Sequence, residues 1–172
     1  MRKILIEPDP ILRQKSKPLE NVNDETRKLM DEMLETMYQA PGIGLAAVQI
    51  GILKKIVVID VSKEKEKKSP LFLVNPEILN RSKETSIYEE GCLSLPGQFA
   101  EIERPSECLL KYIDYHGKEK QLKADGLLAT CIQHEVDHLN GILFVDYLSK
   151  LKKDMIVKKL LKYKKEIKKI VV

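Results

Sequence analysis

Apolar residues recur with a helical period between Asp24 and Gln39, where Leu29, Met30, Met33, Leu34 and Met37 fall at i, i+3/i+4 and i+7/i+8. The pattern predicts an amphipathic helix capped by Asn23, acidic in its first turn and ended by Pro41-Gly42. Its methionines read as core, because flexible thioether side chains fill irregular gaps. Asp9 before Pro10 reads as an N-cap followed by proline at the first helical position, so Pro10 to Lys15 is expected to form one short helical turn. Lys54 to Val61 and Leu71 to Asn75 are aliphatic runs separated by the charged stretch Ser62 to Pro70, which predicts two strands joined by an exposed loop. Cys108 to Asp114 and Lys118 to Lys123 flank Tyr115-His116-Gly117 and predict a hairpin, with His116 in the turn. Leu127 to Leu139 is expected to be helical, and Asp146 or Ser149 opens a last helix with Leu151, Met155, Leu160, Leu161 and Ile167 on its apolar side.

Strands in the middle and helices toward both ends predict an α+β single domain with a mainly antiparallel sheet, not alternating βαβ units. Composition agrees: at 172 residues, 43% hydrophobic and 33% charged, the chain is neither disordered, collagen-like nor membrane-embedded in character. Met1-Arg2-Lys3-Ile4-Leu5-Ile6-Glu7 meets a charge and Pro8 before an export signal could form, so a cytoplasmic location and no membrane partner are expected. Cys92, Cys108 and Cys131 cannot all pair, which favours reduced thiols and leaves at least one free to react or to bind metal. Residues 149–172 hold ten lysines against Asp154 and Glu166, a segment of +8 on a chain of net +4, so residues 1–148 carry −4. Residues 1–148 are therefore read as the catalytic part and 149–172 as a basic C-terminal helix of the same domain.

The chemistry concentrates in Gln133-His134-Glu135-Val136-Asp137-His138. At ~100° per residue, two histidines four apart share a helical face one turn apart, so both imidazoles reach one metal ion. Glu135 flanks that face, where a general base acting on water belongs. A third ligand is needed. A histidine six residues on would fall at Phe144, which cannot ligate, and the only later glutamate, Glu166, lies deep in the lysine-rich tail. Cys92, in a short segment opened by Gly91 and closed by Pro96-Gly97, supplies a thiol in a loop-like context, whereas Cys108 and Cys131 read as buried small hydrophobes. Pro41-Gly42-Ile43-Gly44-Leu45-Ala46-Ala47-Val48-Gln49 has too few glycines, wrongly spaced, for a nucleotide loop; it suits a backbone lying against a ligand, with Gln49 offering an amide donor to an oxyanion. Asp137 reads as a capping or supporting carboxylate without a catalytic role.

Together, GIGLAAVQ (Gly42–Gln49), EGCLS (Glu90–Ser94) and QHEVDH (Gln133–His138) resemble the three signature motifs of the peptide deformylases, in the same order and at similar spacing. The resemblance extends to Pro8–Arg13, Arg104-Pro105 and Gly141 and covers most of the chain. It implies an α+β domain around a central HExxH helix, and an enzyme that removes the formyl group from the N-terminal formylmethionine of new polypeptides, releasing formate. It implies one divalent ion, Fe(II), replaceable by Zn, Ni or Co, on Cys92, His134 and His138, with Glu135 as acid/base. Gln49 and the Leu93 N–H resemble oxyanion donors, and Ile43 and Gly44 a substrate-strand edge. Gly91, Leu127 and Cys131 resemble the methionine-pocket wall, and Glu90 with Arg104 an ion pair holding the cysteine segment. Partners implied are N-formylmethionyl nascent peptides and, through the lysine-rich helix, the ribosome. Two other readings stay open on the residues alone: a zinc endopeptidase, and a non-catalytic metal- or RNA-binding module built around the lysine tail.

Overall fold

Asn23 caps α1 (Asp24–Gln39), its side chain accepting the Thr26 N–H at 2.9 Å. Met30, Met33 and Met37 of the expected stripe are fully buried against β1 (Gly44–Ala46) and β2 (Ile56–Ile59). Successive residues of β2 point to opposite faces. Ile56 and Val58 join the methionines of α1, while Val57 and Ile59 face Ala129 and Ile132 of α2 (Gly126–Leu139). A strand covered on both faces has no solvent side, which is why its sequence is an unbroken apolar run.

The computed structural model describes residues 1–64 and 67–170. Its main sheet has five antiparallel strands in the order β1-β2-β3-β6-β7, with β3 at Leu71–Arg81, β6 at Glu107–Ile113 and β7 at Glu119–Asp125. A separate hairpin pairs β4 (Thr85–Cys92) with β5 (Leu95–Pro105). Leu95 and Ile102 of that hairpin share a third cluster with Leu143, Phe144 and Val145, onto which Ile156 and Leu160 of α3 (Lys150–Ile170) close. Among the described residues, no helix is long and apolar enough to cross a membrane.

Several expectations need correcting. β3 runs on from Asn75 through Pro76 to Arg81, because β2 pairs only with Leu71–Val74 and the register shifts just beyond, where proline has no ladder bond to break. The β4–β5 hairpin carries exposed Glu89, Glu101 and Glu103 on its outer side, and that polarity disguises it as loop. Cys92 accordingly ends a strand instead of lying in a loop. On α3 the buried positions are Ile156 and Leu160, whereas Leu151, Met155, Leu161 and Ile167 are exposed: the body covers only a narrow stripe of this helix.

Candidate active site

One side of α2 packs on the sheet through Ala129 and Ile132, and the other side carries Leu127, Thr130, Cys131, His134, Glu135 and His138 toward β1 and the β4–β5 hairpin. The rings of His134 and His138 stand 5.0 Å apart, as expected one turn apart on a helix. Sγ of Cys92 comes in from the end of β4 to 3.3 Å from Nε2 of His138. Ligand atoms of Cys92, His134 and His138 all lie within 4.8 Å of one another.

The donor set fits a divalent transition metal: one thiolate, half-buried, and two buried imidazoles. Nδ1 of His134 is 2.8 Å from Oε1 of Glu90, which fixes the ring and leaves Nε2 for the thiol side. Burial disfavours charge on both imidazoles. His138 is held well below its ordinary pKa by burial and by His134, while for His134 the bonds to Cys92 and Glu90 outweigh burial and push it well above.

Glu90 is locked from behind. Arg104 grips both its oxygens, Nε to Oε2 at 2.7 Å and Nη2 to Oε1 at 3.0 Å. Its remaining arm, Nη1, donates to Oδ2 of Asp137 at 2.9 Å, and the Tyr147 hydroxyl donates to the same oxygen at 2.6 Å. Burial alone would raise the Glu90 carboxyl, but His134 and Arg104 hold it below the usual carboxylate value. The supporting carboxylate expected at position 137 thus has two named partners.

Glu135 stands apart from this chain of charges. It is 4% exposed, its Oε2 has no partner among the described residues, and burial pushes its carboxyl up to about 7. Gly44 lies directly against it: a Cβ there would meet the Glu135 carboxylate, Cδ at 2.9 Å, and Sγ of Cys131 at 3.0 Å. Gln49, on the 3-10 turn Ala47–Ile50 after β1, accepts the Ala46 N–H at Oε1 over 2.9 Å. Its Nε2 donates to Ser94 Oγ at 3.1 Å and to Cys92 Sγ at 3.4 Å.

These groups surround a cavity of about 560 Å³. Of the residues expected at the site, Ile43, Gly44, Gln49, Glu90, Gly91, Cys92, Leu93, Leu127, Cys131, His134 and Glu135 line it. His138 stands behind Cys92 and Arg104 behind Glu90, touching the wall without forming it. Cys108 lies away in the core at 2% exposure. Sequence reasoning missed Tyr88, Phe99 and Thr130 in the wall, and Tyr147 behind it. Thr130 was within reach, lying four residues before His134; Phe99 was not, since only the hairpin register sets it opposite Gly91.

Comparison with known proteins gives the family. A family model described as polypeptide deformylase matches residues 1–154. A peptide deformylase of Pelagibacter ubique is 66% identical over 164 residues, covering 95% of each chain, and one of Rhizobium meliloti is 55% identical over 162 residues, covering 94% of this chain and 93% of its own. A crystal structure of peptide deformylase from Ehrlichia chaffeensis superposes with a TM-score of 0.92 at 41% identity, covering 100% of this chain and 99% of that one. The Ehrlichia enzyme in complex with actinonin gives a TM-score of 0.91 at 44% identity, covering 95% and 97%. Motif, cavity, sequence and fold agree, and the chain belongs to the polypeptide deformylase family, enzymes that remove N-formyl groups.

Proposed function

We propose that this chain removes the formyl group from N-terminal formylmethionine of newly made polypeptides, releasing formate, with Cys92, His134 and His138 holding one divalent ion and Glu135 moving the proton. The observation that carries the reading is the crowding of those three ligand atoms within 4.8 Å, beside a buried carboxyl pushed up to about 7. The ion supplies Lewis acidity when bound, making water a far better source of hydroxide near neutral pH. Every other task falls to the chain. Glu135, unpartnered at Oε2 and poised near neutrality, takes a proton from water and returns it to the departing amine. Gln49 and the Leu93 N–H are the proposed donors to the oxyanion. Nε2 of Gln49 gives up its long 3.4 Å contact to sulfur for the substrate oxygen and keeps Ser94. Ile43 and Gly44 form the edge along which the substrate backbone lies, and Gly91, Leu127 and Cys131 wall the methionine side chain. Glu90 and Arg104 hold His134 in register.

The metal proposed for the cell is Fe(II), with Zn, Ni or Co as substitutes; a thiolate with two imidazoles accommodates all four. The cytoplasm is the proposed location, supported by three free cysteines, one of them a proposed ligand that must stay reduced. Residues 1–148 form the proposed catalytic part, and 149–172 a basic C-terminal segment of the same domain, ending outside the described residues, whose helix α3 is seated on the body by Ile156 and Leu160. That helix is the proposed ribosome contact.

The test offers metal-loaded protein a formylated and an acetylated Met dipeptide and an unblocked longer peptide, with free amine as readout. Amine from the formylated substrate alone is expected. Cleavage inside the longer peptide would install the endopeptidase reading, and no release at all would leave the binding module. Glu135→Gln is expected to retain metal and lose ~10²-fold or more in kcat.

A further inference from the structure

Residues 2–7 belong to no helix or strand, yet their backbone is fixed at several points. The Leu5 N–H donates to the Gln49 carbonyl at 2.7 Å, and the Glu7 N–H to the Ser94 carbonyl at 2.9 Å. Between them, the Ile6 carbonyl accepts Nζ of Lys164 at 3.0 Å. Both ends are moored. Arg2 donates its N–H to Thr36 Oγ1 at 3.0 Å and pairs with Glu32 at 2.7 Å on α1, while the buried Glu7 carboxylate pairs with Arg13 at 2.9 Å. Ile4 lies in the wall of the cavity.

The two loops that this segment ties together carry the proposed oxyanion donors. Gln49 stands on the 3-10 turn Ala47–Ile50, and Leu93 and Ser94 form the turn between β4 and β5. A 3-10 turn of four residues has poorer internal hydrogen bonds than an α-helix. Its closing bonds, from Gly51 and Ile52, end on the carbonyls of Val48 and Ala47, so Leu5 supplies the partner that the Gln49 carbonyl needs in a residue only 1% exposed. The hairpin brings Cys92 with it and is therefore the frame of the reacting centre, against which the 3-10 turn has to be set. Nε2 of Gln49 also reaches across, to Ser94 Oγ at 3.1 Å. That contact is made by the group that must itself turn to the substrate. The bonds from Leu5 and Glu7 use backbone carbonyls and leave the amide free to do so.

We infer that residues 4–7 are a positioning strap, which sets the Gln49 amide against the Leu93 N–H and the Cys92 end of β4 through the Leu5 and Glu7 N–H groups. The inference rests on the function proposed above and adds to it two positioning residues that lie outside the three motifs. A misplacement of about 1 Å at a reacting centre costs up to ~10²-fold in rate, so two backbone bonds suffice to matter.

The experiment replaces Leu5 or Glu7 by the matching α-hydroxy acid, which turns one amide into an ester, removes the N–H and keeps the side chain. Each ester is made in the parent and in Gln49→Ala, and kcat and KM on a formylated Met dipeptide are expressed per bound metal ion. In the parent, either ester is expected to lower kcat roughly five- to twentyfold with KM little changed. In Gln49→Ala, itself slower by ~10²-fold, the same esters are expected to change kcat by less than about twofold, because the turn no longer carries a reacting group. If only one ester folds, it carries the comparison alone. An equal loss in both backgrounds, no loss in the parent, or failure of both esters to fold would make the segment a structural element and overturn the assignment, with deformylation by the parent intact. A parent protein that turns over no formylated peptide would overturn the functional reading and this inference with it.

Discussion

Oε1 of Glu90 stands 2.8 Å from Nδ1 of His134, and the same carboxylate is held through both oxygens by Arg104. The position of one proposed metal ligand therefore depends on a guanidinium that touches neither the cavity nor the metal. Glu90 and Arg104 side chains are only 5% and 4% exposed. Arg104→Met is expected to strand a buried carboxylate and lower stability by about 3–5 kcal/mol. His134 would also lose its orientation, weakening metal affinity roughly 10- to 100-fold. Denaturant melts together with metal titration check both; unchanged affinity in a destabilised variant would reduce Arg104 to a structural residue.

Cys92 and Cys108 should separate cleanly. Cys92→Ala is expected to lose bound metal and activity, because its Sγ lies 3.3 Å from Nε2 of His138 and, among the described residues, it is the thiol grouped with the two histidines. Cys108→Ala, in the core of β6, is expected to keep both and to lose about 1 kcal/mol of stability, the cost of a small cavity. Metal analysis and turnover on the same two preparations decide the matter.

Gly44 is the wall glycine that lies directly against Glu135. A methyl group there would overlap the Glu135 carboxylate and crowd Cys131. Gly44→Ala is expected to displace Glu135 and lower kcat by ~10²-fold or more while metal content stays near that of wild type. Loss of metal instead would mean that the strain is relieved through His134.

Much of this was legible in the chain, and the exceptions have physical causes. α1 was readable to the residue because Asn23 caps it and its methionines keep strict periodicity. The His134/His138 pair was readable because helical geometry is local. The β4–β5 hairpin was not: it buries little, and its outer glutamates look like loop. Tyr147 was out of reach for another reason. Its bond to Asp137 spans ten residues across the end of α2, and the tertiary turn that makes it leaves no periodic trace. The apolar side of α3 was misread because Leu151 and Met155 are hydrophobic yet lie beyond the surface that the body covers.

Asp146 gives the fold a measurable acid limb. Burial would raise its carboxyl, but Lys153 at 2.6 Å, the Leu143 N–H at 3.0 Å and Arg13 at 2.6 Å hold it below the ordinary value. A folded-state pKa below the unfolded ~3.9 stabilises the protein fully above that value and less as pH falls through the folded one. Asp146→Asn is expected to lower Tm by roughly 4 °C near pH 7. Wild type and variant should converge toward pH 3 and below. A gap that persists in acid would mean that Asp146 acts through shape and not through charge.

The basic helix yields the last expectation. Lys158, Lys162, Lys165 and Lys169 are exposed and fall within one arc of α3, opposite the stripe anchored by Ile156 and Leu160. Lys164, by contrast, is turned inward and donates to the Ile6 carbonyl at 3.0 Å. The outward four have no ion pair among the described residues, and a surface of nucleic-acid phosphates is the complement of such an arc. If α3 docks the enzyme on the ribosome, four phosphate contacts give a log–log salt slope on the order of −3, so binding weakens steeply from low to physiological salt. Co-sedimentation with ribosomes at two salt concentrations, in the parent and with all four lysines changed to Glu, measures this. Turnover of free formylated peptides should be the same in both proteins, since none of the four lines the cavity. Equal sedimentation of parent and variant, or none for the parent even at low salt, would return α3 to the role of a solvated helix closing the third core cluster.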